Sequence, residues 1–371
     1  MRQQTIRTRG FKLKTRLKSY GASTGFSLVE IMVGMVIALL GILIIMQVTT
    51  SFEAQKRSTT GGDEATNTGA IAIYHLQRSL RQAGYGINAM QTLNCNLTVG
   101  AANIMGLGAV TINHPLTTTG VDVGTDTLLV IYGDGNGSPE GDGITAQVAG
   151  VNNVYQVQTA VSFSVQDMVI AAPKVRATPC ALSLDTVTAL AVPDVTVQTG
   201  AAGMEYGVLY NMGQSPRIVG YAVRGGSLTQ CNFIVSNCTV AANWTPIASN
   251  VVSLRAQYGK KIGGAINSVN RWDQIQPATA CEWIRTLAVR FALVIRNPQF
   301  ERNPITGDVG GVSAGAPAPS WIGSTMSTDS PAAVPIDVSA DANWQNYRYR
   351  VLQTIAPLRN TRFAGGSSGC P

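Results

Sequence analysis

Between Ile31 and Met46 the chain reads IMVGMVIALLGILIIM, sixteen apolar or glycine residues without a break, and Phe26, Leu28 and Val29 lengthen the run upstream. As a helix this stretch nearly crosses a bilayer. Arg2, Arg7, Arg9, Lys12, Lys14, Arg16 and Lys18 precede it, with no acid in the first 25 residues. By the positive-inside rule that end stays in the cytoplasm, and everything after about residue 50 lies on the far side. A secretory signal has a shorter apolar core and ends in a small-x-small cleavage site, whereas this run continues into QVTTSFEAQKR. The segment is therefore expected to remain attached to the mature protein.

The net charge of +7 and pI near 9.2 belong to the leader alone. Without its seven basic residues the rest of the chain has 20 basic and 20 acidic residues, too little excess for a phosphate-binding surface. Direct nucleic-acid contact is not expected. All six cysteines, Cys95, Cys180, Cys231, Cys238, Cys281 and Cys370, follow the apolar run, a placement that suits an oxidising compartment. The pattern leaves their pairing open, although Cys231 and Cys238 close the shortest loop.

Glu30 conflicts with a plain anchor, because a carboxylate inside an apolar span costs about 3 kcal/mol or more unless paired. The bland account puts it at the interfacial edge, reaching back to water. Gly25-Phe26-Ser27-Leu28-Val29-Glu30, followed by the apolar run, resembles the type IV prepilin cleavage motif. The resemblance implies that a prepilin peptidase cuts after Gly25 and methylates the new N-terminal Phe26. It also implies that Glu30 pairs with the N-terminal amine of a neighbouring subunit, the partner a buried carboxylate needs. The leader of 25 residues is longer than those usual in that family.

Beyond the apolar run, the sequence predicts a helix over 26–60, membrane span then periplasmic stalk, roughly 50 Å long at 1.5 Å per residue. Gly61-Gly62 reads as a break. A second, amphipathic helix follows within 61–86: Asp63 and Glu64 suit its N-terminal end, Ile73, Leu76, Leu80 and Ala83 share a side, and Gly84 and Gly86 stop it. From 87 to 371 the pattern changes to short runs with turn punctuation. Strands are expected at 126–133, 217–223, 250–259, 285–297 and within 347–360, the last ending at Pro357, two of them alternating apolar with polar residues as half-buried antiparallel strands do. The Pro-, Gly-, Ser- and Ala-rich stretch 298–343 reads as a long surface loop. The expected fold is α+β and pilin-like: a long N-terminal helix, a short second helix and a mainly antiparallel sheet head. Arg81-Gln82-Ala83-Gly84-Tyr85, a strand followed by Tyr-Gly, and Leu358-Arg359-Asn360 resemble, in that order, motifs of the PilW-type minor pilins.

Chemistry-bearing patterns are weak. DGNGSPEGD at 134–142 has the alternation of a calcium loop, but Pro139 stands where the glycine belongs and Thr145 where the glutamate belongs, so a glycine-rich hairpin turn accounts for it better. His75 and His114 are the two histidines, each expected to be solvated, and no catalytic signature appears. Arg217, Arg224, Arg255, Lys260 and Lys261 are expected to form a solvated face. No enzyme activity, cofactor or metal is expected. The resemblance implies a minor pilin that primes or supports type IV pilus assembly in the filament or at its tip, and serves motility, adhesion or DNA uptake. Its implied partners are the prepilin peptidase, other minor pilins, the major pilin and inner-membrane lipid. The implied path runs from inner membrane, with the head periplasmic, to extracellular pilus. A minor pseudopilin of a type II secretion system and a membrane-tethered adhesin are the alternatives.

Overall fold

The computed structural model describes residues 25, 27–135, 137–148, 150–266, 268–309, 312–313, 317–323, 334–360 and 370. It divides into two compact units, Met1–Lys56 and Arg57–Pro371.

A single helix runs from Leu28 to Gln82, so the expected break and separate second helix are corrected. Gly61-Gly62 lies inside it, and at Gly61 another chain segment comes too close for a side chain: a β-carbon there would collide with Asn297, as one at Gly69 would with Leu352 and Ile295. Each helical glycine costs about 1 kcal/mol relative to alanine, which close packing against the sheet offsets. Ala65, Ala72, Leu76, Leu80 and Ala83 form the buried stripe of this part, at the spacing that keeps side chains on one helix face.

The remainder is β-rich and is not the expected pilin-like head. It has three main sheets. In the middle sheet, Val110–Ile112, Leu128–Tyr132, Arg217–Arg224, Ser227–Asn232 and Thr245–Ser249 lie side by side in chain order, the central strand Arg217–Arg224 pairing with Leu128–Tyr132 on one side and Ser227–Asn232 on the other. Both faces are covered. Leu128, Val130, Val219, Tyr221 and Val223 join the helix stripe in one core, while Leu129, Ile131, Ile218 and Ala222 turn to a second core. Strands buried on both faces read as continuous apolar runs, as LLVIY does.

Covering that second face is a closed ring. Ala181–Ala191, Met168–Ala172, Val208–Gly213, Asp142–Gln147, Val154–Val157 and Asp194–Val197 pair in turn, and the last returns to the first. The eleven-residue strand Ala181–Ala191 makes closure possible, since its middle residues, Leu184 to Thr186, pair with Met168–Ala172 and its last part with Asp194–Val197. Alternation sorts the ring's side chains: Val169, Ala171, Val195, Val197 and Leu209 fill its interior, while Ile170, Ala172, Tyr210 and Met212 face the middle sheet. Outside the ring, Asn96–Val99 pairs parallel to Ala181–Ala191, a departure from antiparallel order.

The third sheet joins Arg271–Asp273, Val251–Lys260, Thr286–Arg296 and Tyr349–Pro357. The strands expected at 250–259 and 285–297 are present, but their polar sides are covered and not solvated. Ser253 and Gln257 are buried, and Ala292 and Val294 pack with Trp321 and Ile336. Those two residues come from 298–343, so its described part is a cover for the sheet as well as a loop. The stretch 134–142 does not make a hairpin, because the strands on either side, Leu128–Tyr132 and Asp142–Gln147, belong to different sheets.

Candidate functional site

In the unit Met1–Lys56, every described residue from Leu28 to Met46 is exposed except Gly41, which is half-buried. An 18-residue stretch of this helix is long and apolar enough to cross a membrane. Glu30 lies in its first turn and is exposed among these apolar side chains. The backbone N–H groups of Glu30 and Ile31 donate to the Ser27 carbonyl at 2.9 and 3.2 Å. A carboxylate in the first turn is favoured by the helix dipole, yet in lipid it still requires a cation. Gly25 is exposed, whereas Phe26, the expected methylated residue, lies outside the described residues.

Within Arg57–Pro371, the segments singled out in the sequence meet at the end of the long helix. Gly84 stops it with φ at +86°, a left-handed conformation glycine adopts without strain. The Gly84 N–H donates to the Ile131 carbonyl at 2.8 Å, and Gly133 N–H donates to the Tyr85 carbonyl at 2.9 Å. The Tyr85 hydroxyl donates to Gly135 at 2.8 Å. From the far end of the chain, Asn360 Nδ2 donates to the carbonyls of Gln82 and Ala83 at 2.9 and 3.2 Å. Asn88 Nδ2 donates in turn to the Asn360 carbonyl at 2.8 Å. The last helical carbonyls lack partners within the helix, and here a side chain 278 residues away supplies them. Leu358 anchors the segment, 2% exposed, with its N–H on the Leu287 carbonyl at 2.9 Å.

The six cysteines form three disulfides, Cys95–Cys180, Cys231–Cys238 and Cys281–Cys370, with Cα–Cα separations of 4.8, 5.8 and 5.4 Å. The first ties the segment after the helix to the ring, and the third ties Cys370 to the short helix Ala280–Ile284.

Several expectations about polar residues are corrected. Lys260 is not solvated: it is 7% exposed and its ammonium lies 2.6 Å from Asp273, which Arg271 also contacts at 2.7 Å. Arg255 approaches the buried Asp126 at 3.5 Å. Asp126 also accepts from the Ala256 N–H at 3.0 Å and the Gln274 amide at 2.6 Å. Arg224 stacks over Trp244 at 3.9 Å. Of the predicted basic face, Arg217 remains exposed. His75 is exposed, but His114 is 1% exposed and caps the turn Pro115–Thr118. These buried charges fall inside or beside apolar strands, and nothing in sequence spacing distinguishes them from surface charges. Among the described residues no cluster of His, Cys, Asp or Glu is placed to hold a metal; Asn136 of the 134–142 stretch lies outside them.

Residues 223–360 match the family model of type IV pilus-assembly protein W. The matched stretch starts in the last two residues of the strand Arg217–Arg224, includes the whole third sheet, and ends at the Asn360 that caps the helix. It leaves out the helix and the ring. Neither a curated protein nor a solved structure matches the chain.

Proposed function

We propose that the protein is a minor pilin that primes or supports type IV pilus assembly, entering the filament or its tip after prepilin peptidase cuts between Gly25 and Phe26. The observation that carries this is the exposed carboxylate of Glu30 on a helix whose neighbouring side chains are apolar and exposed. Lipid can cover the apolar groups but not the charge. A bundle of such helices, each beginning at a new α-amine, covers both. The match of residues 223–360 to a pilus-assembly family supports the same reading, as does the membrane-length helix. On this reading the head is periplasmic before assembly and extracellular after it, and its partners are other minor pilins and the major pilin.

N-terminal mass spectrometry of protein recovered from sheared filaments should find a chain beginning at methylated Phe26. Glu30→Gln should insert into the membrane normally but appear in filaments at a level lower by on the order of tenfold, as follows from losing about 1.4 kcal/mol. Recovery of an uncut chain absent from filaments would overturn the proposal in favour of a simple tether. Co-purification with a secretion pseudopilus in place of the major pilin would move the protein to that machinery.

A further inference from the structure

A cavity of about 400 Å³ opens between the exposed side of the last helical turns and the middle sheet. Its lining includes His75 and Arg78 from the helix, Tyr132 and Asp134 from the end of one strand, and Arg217 and Gln230 from the next two. Among the described residues neither Arg78 nor Arg217 has an ion-pair partner. The Asp134 carboxylate is held in place by the Ser215 N–H at 3.0 Å.

This combination narrows the ligand. Two guanidinium groups exclude a metal cation. A polyphosphate is disfavoured, because it draws on a concentrated positive excess and would meet Asp134. A small inorganic ion has no use for a cavity within the size range of organic ligand sites. A sugar acid suits this mixture: its carboxylate matches the forked donors of arginine, and its hydroxyls match the acceptors of Asp134 and Gln230. We propose that this cavity binds an oligosaccharide containing uronic acid, with the carboxylate at Arg78 and Arg217 and the hydroxyls at Asp134. This binding is separate from filament assembly and stands whether or not the assembly proposal does.

Calorimetric titration of the full chain in detergent micelles tests it with four probes: trigalacturonate, its methyl ester, a short polyphosphate and a glutamate-rich peptide. Saturable binding of trigalacturonate is expected, and should be lost in the ester. Arg78→Gln and Arg217→Gln should each weaken it about tenfold, the effect of one hydrogen bond to a charged group. Both positions are exposed, so unchanged melting temperatures should confirm intact folding. Asp134→Asn is the discriminating variant: it should weaken sugar binding, whereas in a site for bare anions it would strengthen binding. The proposal is overturned if the wild-type chain does not bind trigalacturonate, if the ester binds equally well, if polyphosphate or peptide binds as tightly, or if Asp134→Asn tightens the complex.

Discussion

The Leu116 N–H lies 3.2 Å from Nδ1 of His114 and the Met105 N–H 3.2 Å from Nε2, and a neutral imidazole accepts at one of these nitrogens while the other carries its hydrogen. Protonation would set an N–H against the backbone donor at the nitrogen that accepts in the neutral ring. Burial, which penalises the charged ring, is the largest influence on the group and holds its pKa below the usual 6.5. The sign follows from linkage. The unfolded chain takes up the proton near pH 6.5 and the folded chain only at lower pH, so the stability His114 contributes is complete above about 6.5 and is lost as pH falls below it. The stability difference between the wild type and His114→Asn, measured by denaturant midpoints, should therefore be largest at pH 7 and narrow toward pH 5. A difference that stays constant over that range would contradict this account. In the sequence, His114-Pro115 reads as solvated loop because Pro is common in loops. Proline equally opens a helical turn, where its missing N–H costs nothing, and the turn here has only four residues, too few for periodicity to show.

At the level of elements, the long helix depends on its C-terminal cap. Replacing Asn360 by alanine removes the donor to the Gln82 and Ala83 carbonyls and should cost about 1–2 kcal/mol, read as a lower denaturation midpoint with unchanged slope. Asn360→Asp should cost at least as much at pH 7, since a carboxylate cannot donate and would face carbonyl oxygens. Wild-type stability in the aspartate variant would show that shape alone matters there. The helix end was legible in the sequence from Gly84 and Gly86, and five strands were legible from their apolar runs. The middle of the helix was not. Gly61-Gly62 carries the same local signal whether it breaks a helix or lets a sheet approach one, and only the approach of Asn297, 236 positions later, distinguishes the two. The convergence of Arg81–Tyr85, Tyr132-Gly133 and Leu358–Asn360 was likewise invisible in any one segment, because it exists only between segments.

Across the whole molecule, the ring is an insertion between two paired strands. Tyr132 and Arg217 face each other in adjacent antiparallel strands, and all six ring strands lie in the chain between them. Five of the six ring strands have only four or five residues or six with a bulged register, and alternation over so few positions is hard to separate from turn sequence, so this region was unreadable as a barrel. The insertion point suggests a module that could be removed, but the cores argue otherwise. Leu129, Ile131 and Ile218 are at most 1% exposed and pack in the same core as Ile170, Tyr210 and Met212 of the ring. Uncovering those three middle-sheet side chains at about 1.5–3 kcal/mol each would remove much of a total stability of about 5–15 kcal/mol. Cys95 would also lose its disulfide partner Cys180, which costs about 2–5 kcal/mol. Replacing residues 133–216 with Asn-Gly supplies a turn suited to a two-residue hairpin, so a failure to fold would not come from chain closure. The shortened chain should show no cooperative melting transition. Polar substitutions at Leu129, Ile131 and Ile218 in that shortened chain should restore one if exposure of this face is the cause. A shortened chain that melts near the wild-type temperature without them would instead make the ring an autonomous appendage, stabilised by its own interior of Val169, Val195, Val197 and Leu209.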